Sequence, residues 1–382
     1  FSVSRSFCQT VRLSHSINDE EIKYVTLRKT LIKKWLKDQG INCELEDVPN
    51  IALLGSGGGE RAAVGMLGSL HQLAQDNLLG SLLYMCGVSG TTWCMSSLYS
   101  NPALSLSERC DEVIKKLKDS TVDWSKAVEW LKLRKEQNQD FNLTDFWGAF
   151  IACYFMKEVS VWLLYISVIY QLSVGVWFEM TPYESGFSGL GAFVPTSCLG
   201  SQFEGGTLRE KRKEMDMVLL QGGERIDTHA NVHTHSHTHT SIYCCLFVVA
   251  GQVSVGVPFS MASKEKIHLV DAGLKMNSPY PPVLRPSREV DLIISLDFSE
   301  GDPFETVFSA KKYALQQKVP FPPVKESVRD EKDRPQGCYV FEGRRPEEPT
   351  IMHMPLFNLQ NCKGLWDSNR ATFRLLVQRS NH

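Results

Sequence analysis

The chain contains no C-x-x-C pair, although its 382 residues include 11 cysteines. Cysteine pairs at that spacing are typical of structural zinc sites and of redox motifs. The cysteines are instead scattered along the chain, mostly in apolar surroundings. We therefore expect reduced thiols in a cytosolic protein, with neither a disulfide framework nor a zinc site.

An excess of either charge is also lacking. The 41 Lys and Arg residues nearly balance the 43 Asp and Glu residues, and the formal net charge is −2. This balance excludes the basic footprint of a nucleic-acid-binding protein, so no nucleic-acid partner is expected. The chain shows no acid before Asp19 and no secretory leader. Its opening is similar to a polar lead-in and, more faintly, to a mitochondrial presequence.

The segment GSGGGERA (residues 55–62) lacks the features of a nucleotide site. A dinucleotide fingerprint requires glycine where Glu60 stands, and a Walker loop requires Gly-Lys-Ser/Thr. Three consecutive glycines before a helix leave backbone N–H groups unobstructed, which suits a developing oxyanion. Arg61 stands in the first turn of that helix, where a cation opposes the helix dipole. It either extends into solvent or meets an anionic group of a substrate.

The order of apolar runs predicts an α/β fold. Residues 50–77 and 81–101 each give a short apolar strand, a sharp glycine turn and a helix, which indicates a largely buried sheet. The other predicted elements are strands at 266–273 and 289–299 and in CYVFEG and TIMHMPLFN, with helices at about 20–40, 106–160 and 303–317.

Ser89 lies in the run GVSGTTW (residues 87–93), directly after a predicted strand and before a helix. A strand that ends in Gly-x-Ser-Gly before a helix is typical of a nucleophile elbow, in which a strained turn lifts the hydroxyl above the sheet. The full G-x-S-x-G pattern is not met, because Thr91 occupies the last glycine position. An ordinary helix N-cap serine is the alternative.

The base that would activate Ser89 is less clear from the residues. Asp271 ends the apolar strand IHLVD at the edge of the predicted sheet, where a carboxylate serves as a general base or as a turn cap. His71 lies within a predicted helix, and His353 and His268 lie on predicted strands. None of these spacings indicates a Ser-His-Asp triad.

Two stretches differ from the rest of the chain. Residues 159–178 contain no charge, which is long enough for a membrane span, with buried or disordered filler as the alternative. Residues 211–262 resemble a low-complexity insertion. They include alternating histidines that either bind a metal or reflect a simple repeat in the coding sequence. These histidines are His229, His233, His235, His237 and His239.

Six motifs together resemble the catalytic domain of the group IV cytosolic phospholipases A2. They are GSGGGERA, GVSGTTW, WFEMTPYE, LVDAGL, PYPPVLRPSREVDLIISLDFS and GCYVF. They occur in the family's order, and the resemblance covers about residues 11–157, 177–217 and 264–364. It implies a central mixed sheet flanked by helices, with the architecture of patatin-like and lysophospholipase-like serine hydrolases.

The resemblance also implies roles for particular residues. Ser89 matches the nucleophile and Asp271 the activating partner of a Ser/Asp dyad that works without histidine. Gly58 and Gly59 match the glycines of the oxyanion hole. The implied reaction is hydrolysis of fatty-acyl esters of glycerophospholipids or lysophospholipids through an acyl-serine intermediate. A catalytically impaired lipid-binding relative and a Ser-His-Asp esterase are the alternatives.

Two arginines match basic residues of the family. Arg61 matches the arginine that holds the substrate phosphate, and Arg288 matches a second arginine required for activity, which we also expect at the phosphate. Many members carry an N-terminal calcium-binding domain for which this sequence shows no counterpart before residue 20. We therefore expect no metal and no calcium cofactor, as in the calcium-independent, gamma-like members. A cytoplasmic enzyme that associates peripherally with a phospholipid membrane surface is implied.

The resemblance also predicts how the chain is divided into segments. Residues 1–19 are expected to form an N-terminal lead-in and residues 20–382 the phospholipase catalytic domain. Within that domain, residues 159–176 and about 218–263 are expected to be atypical, insert-like segments, and the C-terminus is expected to be truncated.

Overall fold

The structure is a computed structural model, and the residues that it describes lie between positions 10 and 358. They are residues 10–100, 103–119, 124–137, 146, 149, 166–171, 176–204, 206–211, 240–243, 248–249, 252–253, 266–345, 347–356 and 358.

A mixed sheet runs through the described part of the chain, with helices on both of its faces. The strands are β1 (Arg12–Leu13), β2 (Ile51–Gly55), β3 (Tyr84–Gly87), β4 (Ile166–Gln171), β5 (Val176–Met180), β6 (Glu184–Phe187), β7 (Ala192–Pro195), β8 (Gln202–Glu204), β9 (Thr207–Glu210), β10 (Thr240–Tyr243), β11 (Val248–Val249), β12 (Gln252–Val253), β13 (Lys266–Asp271), β14 (Leu292–Asp297), β15 (Tyr339–Phe341) and β16 (Thr350–Pro355). The helices are α1 (Asp19–Asp38), α2 (Gly59–Gln75), α3 (Gly90–Ser100), α4 (Leu106–Asp119), α5 (Trp124–Gln137), α6 (Tyr280–Val283) and α7 (Glu305–Gln317).

The strand order of the sheet is β1-β7-β6-β5-β4-β3-β2-β14-β16-β15, and β13 with β10 branches from β4. Strands β4, β3, β2, β14 and β16 run parallel to one another. Their carboxyl ends therefore meet at one edge of the sheet, which is where ligands bind in α/β folds. The mixed α/β fold predicted from the sequence is confirmed.

Alternation along the strands divides the core between the two faces of the sheet. Leu53 packs with the buried side of α2 and α3, whereas its neighbours Ala52 and Leu54 pack with α1, α6 and α7. All three side chains are buried, which is why β2 reads as a continuous apolar run rather than an alternating one. This central position of β2 and β3 fixes where the glycine turns at their ends must lie.

The uncharged stretch at 159–178 contributes to this sheet. Its described part includes β4, which pairs with β3, and most of β5, which pairs with β4. Among the described residues no helix has the length and apolar character to cross a membrane. Within 218–263, β10 pairs with β13, while the five histidines of the repeat lie outside the described residues.

Part of the expected N-terminal lead-in also belongs to the sheet, because β1 pairs with β7 at its edge and Arg12 forms an ion pair with Glu184. The expectation of reduced cysteines throughout is wrong at one position, since Cys198 is disulfide-bonded. The thiols of Cys43, Cys86, Cys94, Cys110 and Cys338 are free.

Candidate active site

Ser89 occupies a strained turn at the carboxyl edge of the sheet. Strand β3 ends at Gly87, helix α3 begins at Gly90, and Ser89 between them has a φ of 51°. A residue with a Cβ rarely adopts this left-handed conformation, and such strain clusters at functional sites. The strand, turn and helix predicted around Ser89 are all present.

The turn does not use the Ser89 hydroxyl as a helix cap. The backbone N–H of Thr92 donates to the Ser89 carbonyl at 2.9 Å, and the Thr92 hydroxyl donates to the same oxygen. None of the hydrogen bonds of the described residues involves the Ser89 hydroxyl. The contacts at this turn thus disfavour the N-cap alternative and leave the hydroxyl available for chemistry.

Thr91, which breaks the G-x-S-x-G pattern, ties the elbow to the neighbouring strand. Its hydroxyl donates to the carbonyl of Gly55 at 2.8 Å and accepts from the Val88 N–H at 3.0 Å. Glycine at this position would lose both contacts. The threonine thus holds the end of β3 against the end of β2, where the glycine turn begins.

The glycine turn at residues 57–59 lies directly against the elbow. A Cβ on Gly57 would be 3.2 Å from the Cβ of Ser89, and Gly90 packs on the backbone of Gly59. Gly58 and Gly59 have φ values of 151° and 58°, which favour glycine. Neither of their N–H groups donates to another described residue, and the space beside Gly59 is open. The turn therefore presents unpaired donors next to Ser89.

Arg61 is anchored beside this turn. Its Nε donates to the carbonyl oxygen of Phe298 at 3.0 Å, and its Nη2 lies 3.6 Å from where a Cβ on Gly58 would be. Among the described residues it has no carboxylate partner within 4.0 Å. The guanidinium is thus held near the glycine turn without being neutralised, which favours the anion-binding alternative over free extension into solvent.

Asp271 ends β13 and caps the turn that follows. Its Oδ1 accepts from the N–H of Gly273 at 2.8 Å, and the residue is 7% exposed. Strand β13 runs antiparallel to β4 and pairs Asp271 with Ile169. Strand β3 runs parallel to β4 and pairs Gly87 with Ser167.

These pairings bring the ends of β3 and β13 together. Strand β5 occupies one edge of β4, so β3 and β13 share the other edge and approach each other end to end. Their last pairing positions are two residues apart along β4, or about 7 Å. The described hydrogen bonds include none between the Ser89 hydroxyl and the Asp271 carboxylate. Hydrogen bonds between catalytic groups are often long or poorly aligned in ligand-free enzymes.

Asn277 joins the two turns and was not identified from the sequence. Its Oδ1 lies 2.4 Å from where a Cβ on Gly57 would be and 2.8 Å from where one on Gly273 would be. Its Nδ2 donates to the Gly57 carbonyl at 3.0 Å and to the Ser299 hydroxyl at 2.6 Å. No local motif distinguishes this asparagine from an ordinary loop residue, since its partner is 220 positions away in the chain.

Arg288 does not lie with the elbow and the glycine turn. Its side chain is buried, 2% of the residue is exposed, and its guanidinium donates to Glu21 of α1, to Glu179 of β5 and to the carbonyl of Pro282. These contacts use all five N–H donors. The residue also precedes β14, whose opposite end carries Phe298. The expectation that Arg288 holds a substrate phosphate is therefore not supported, because no donor is left for a phosphate.

The charges in this buried cluster are balanced by one another. Burial on its own would raise the pKa of Glu21, but the Arg288 guanidinium lowers it below its ordinary value. Burial would lower the pKa of Arg288, but Glu179 and Glu21 raise it well above its ordinary value. Arg285 also pairs with Glu179. The side chains of this cluster are therefore charged, and their ion pairs join α1, β5 and the segment after Asp271.

His353 is not placed to activate Ser89. His353 is fully buried in β16, three strands from β3 or about 14 Å, and its Nε2 lies 2.6 Å from the Pro303 carbonyl. Burial lowers the pKa of His353, although Asp297 and the Pro303 carbonyl raise it. His71 contacts Gln75 on α2. The structure describes the backbone of His268 in β13 but not its side chain.

No cluster of three or more His, Cys, Asp or Glu side chains in the described part of the chain is arranged to hold a metal ion.

Comparison with known proteins supports one family. A model of the lysophospholipase catalytic domain matches residues 51–169, which span β2, the glycine turn, the elbow and β4. Human cytosolic phospholipase A2 gamma is 27% identical over 493 aligned positions, covering 96% of this chain and 90% of that protein. Because the alignment is longer than the chain, the relative carries insertions that this chain lacks.

Solved structures agree with the fold. A human GIVD cytosolic phospholipase A2 superposes with a TM-score of 0.78 at 22% identity, covering 92% of this chain and 59% of that one. The same human protein in complex with methyl gamma-linolenyl fluorophosphonate gives a TM-score of 0.73 at 25% identity, covering 93% and 56%. The chain thus spans somewhat more than half the length of that relative. Together with the matched catalytic domain, these likenesses support the group IV cytosolic phospholipase A2 family, a family of phospholipid-hydrolysing enzymes.

Proposed function

We propose that this protein hydrolyses fatty-acyl esters of glycerophospholipids or lysophospholipids through a dyad of Ser89 and Asp271. One observation carries the proposal: β3 and β13 meet end to end on one edge of β4, with Ser89 following the first strand and Asp271 ending the second. The left-handed turn at Ser89 and the unpaired N–H groups beside it support the same reading. The similarity to a phospholipid-hydrolysing family supports the substrate class.

In the proposed mechanism Asp271 accepts the proton of the Ser89 hydroxyl as its oxygen attacks the ester carbonyl. The tetrahedral oxyanion accepts hydrogen bonds from the N–H groups of Gly58 and Gly59. Its collapse expels the glycerol oxygen, which takes the proton from Asp271, and leaves acyl-Ser89. Water, deprotonated by Asp271, then attacks the acyl carbonyl and releases the fatty acid, while the Ser89 oxygen takes the proton back from Asp271. Each of these two oxyanion donors is expected to contribute about 100- to 1000-fold to the rate.

Arg61 is proposed to bind the substrate phosphate. Its guanidinium is anchored by Phe298 near the oxyanion donors and has no carboxylate partner among the described residues. A cation there favours an ester whose glycerol carries a phosphate over a neutral ester. Arg288 is proposed to act on this reaction only through the fold.

No calcium or other metal takes part in the proposed steps, because the base, the nucleophile and the oxyanion donors are all protein groups. We propose that the protein works in the cytoplasm at the surface of phospholipid membranes, where its substrate is found. Fatty-acid release from vesicles in the presence of excess EGTA tests the first point. Activity that needs added calcium would contradict it.

A fluorophosphonate probe tests the nucleophile, because it modifies activated serines. We expect labelling of the wild-type chain at Ser89, no labelling of Ser89→Ala, and at least a 100-fold slower reaction of Asp271→Asn. Ser309→Ala, on α7, is the matched control and is expected to react like the wild type. Equal labelling of wild type and Ser89→Ala would reject Ser89, and an unlabelled folded wild type would favour a catalytically impaired relative.

Fatty-acid release from phosphatidylcholine and lysophosphatidylcholine vesicles tests the reaction itself. We expect release by the wild type and none by Ser89→Ala or Asp271→Asn. His353→Gln is expected to retain release, since His353 lies three strands from β3. Loss of release in His353→Gln with retention in Asp271→Asn would select a histidine-dependent esterase instead.

A further inference from the structure

We infer that Asn277 is a positioning residue that aims the oxyanion donor of Gly58 at the reacting carbonyl. The inference rests on the proposed function, since it concerns the same site. It starts from two hydrogen bonds that Asn277 makes to one residue of the glycine turn. The Gly57 N–H donates to the backbone carbonyl of Asn277 at 2.8 Å, and the Asn277 Nδ2 donates to the Gly57 carbonyl at 3.0 Å.

The Gly57 carbonyl and the Gly58 N–H belong to the same peptide group. In a planar trans peptide these two groups point in opposite directions. A donor that holds the carbonyl therefore also fixes the direction of the N–H. Because Asn277 lies on one side of this peptide, the Gly58 N–H faces the other side, where it meets no described acceptor. Glycines rotate freely without such a restraint.

The amide of Asn277 is itself held in one orientation. Its Nδ2 has two acceptors, the Gly57 carbonyl and the Ser299 hydroxyl at 2.6 Å. A carbonyl only accepts, so the nitrogen must face the Gly57 carbonyl, and the oxygen then lies beside the α-carbons of Gly57 and Gly273. The Ser299 N–H in turn donates to Asp297 at the end of β14. The restraint is thus anchored in the sheet.

A second donor contacts the same carbonyl. The Ser56 hydroxyl donates to the Gly57 oxygen at 3.1 Å and accepts from the Phe298 N–H at 2.7 Å. Removing the Asn277 side chain alone should therefore leave part of the restraint. Replacing its Nδ2 by a carboxylate oxygen should do more, because two oxygens would then face each other.

Kinetics of three variants test this order. We expect Asn277→Asp to lower kcat about 100-fold, as for loss of one oxyanion donor, with KM changed less than twofold. Asn277→Ala should lose about tenfold, and Ser56→Ala combined with Asn277→Ala should approach the carboxylate variant. A kcat of Asn277→Asp within threefold of the wild type would overturn the inference.

Asn50 provides the matched control. Its Nδ2 also has two acceptors, here the backbone carbonyls of Glu289 at 2.7 Å and Arg288 at 3.3 Å, which lie at the amino ends of the same strands. Asn50→Asp should lower the free energy of unfolding as Asn277→Asp does while leaving kcat unchanged. A similar loss of kcat in both folded variants would attribute the effect of Asn277 to stability and overturn its role.

Crystal structures of wild type and Asn277→Asp give a readout that needs no activity. We expect the peptide between Gly57 and Gly58 to be rotated in the variant and the Ser89 turn to be unchanged. An unrotated peptide would overturn the inference even if the wild type is active. If Ser89→Ala proves as active as wild type, the proposed dyad fails, and the peptide orientation still decides whether Asn277 holds the turn.

Discussion

A Cβ atom on Gly90 would lie 1.9 Å from the carbonyl oxygen of Gly59, so the elbow and the glycine turn touch through their backbones. We expect Gly90→Ala to separate them and to slow fluorophosphonate labelling of Ser89 at least 100-fold, because backbone cannot yield as a flexible side chain does. Labelling at the wild-type rate would show that the contact is unnecessary.

Gly68→Ala is the control for this substitution. Gly68 lies in the middle of α2 on its exposed side, and a Cβ there would meet nothing within 4 Å. The alanine should therefore raise the free energy of unfolding by about 1 kcal/mol through helix propensity, with labelling unchanged.

Gly90 and Gly68 differ in their contacts, and the sequence alone does not reveal that difference. The runs around Ser89 and the glycine turn predicted both strand-turn-helix units, because apolar length and glycine position are local signals. The contact of Gly90 with Gly59 joins residues about 30 positions apart and has no local signal. The same holds for Asn277 with Gly57. Nor does the sequence reveal that two glutamates, distant in the chain, use the donors of Arg288.

Removal of the buried cation is expected to cost stability rather than substrate affinity. Arg288→Met would leave Glu21 and Glu179 buried without their partner, and we expect a loss of about 3–5 kcal/mol in urea unfolding. Lys33→Met breaks the exposed ion pair with Glu44 and should cost far less. A normal unfolding free energy together with a raised KM in Arg288→Met would instead favour contact with substrate.

The same cluster predicts acid sensitivity. The pKa of Glu21 in the folded chain is below its ordinary value of 4.5, since the upward effect of burial is outweighed by Arg288, Arg285 and the Tyr84 hydroxyl together. Its contribution to stability is therefore complete above pH 4.5 and is lost as the pH falls through the lower, folded value. Glu21→Gln should flatten the fall of unfolding free energy below pH 4.5. An unchanged slope in that variant would contradict the assignment.

The titration of His353 should affect stability in a pH window that begins higher. Burial lowers its pKa below 6.5 in the folded chain, in spite of Asp297 nearby, so the unfolded chain binds the proton first. Stability is then complete above pH 6.5 and declines as the pH falls toward the folded value. His353→Gln should flatten the decline that begins just below pH 6.5, whereas Glu21→Gln should leave that onset unchanged. The test is urea unfolding at intervals across both windows.

Arg61 should distinguish phosphorylated from neutral esters. If its guanidinium binds the phosphate, Arg61→Ala loses a charge-assisted hydrogen bond and should raise KM for lysophosphatidylcholine about 10- to 100-fold. KM for a monoacylglycerol of the same acyl chain, which has no phosphate, should stay within twofold. Arg61→Lys keeps the charge without the planar donors and should fall between wild type and alanine. Equal changes for both substrates would show that Arg61 supports the glycine turn through Phe298 rather than contacting the lipid headgroup.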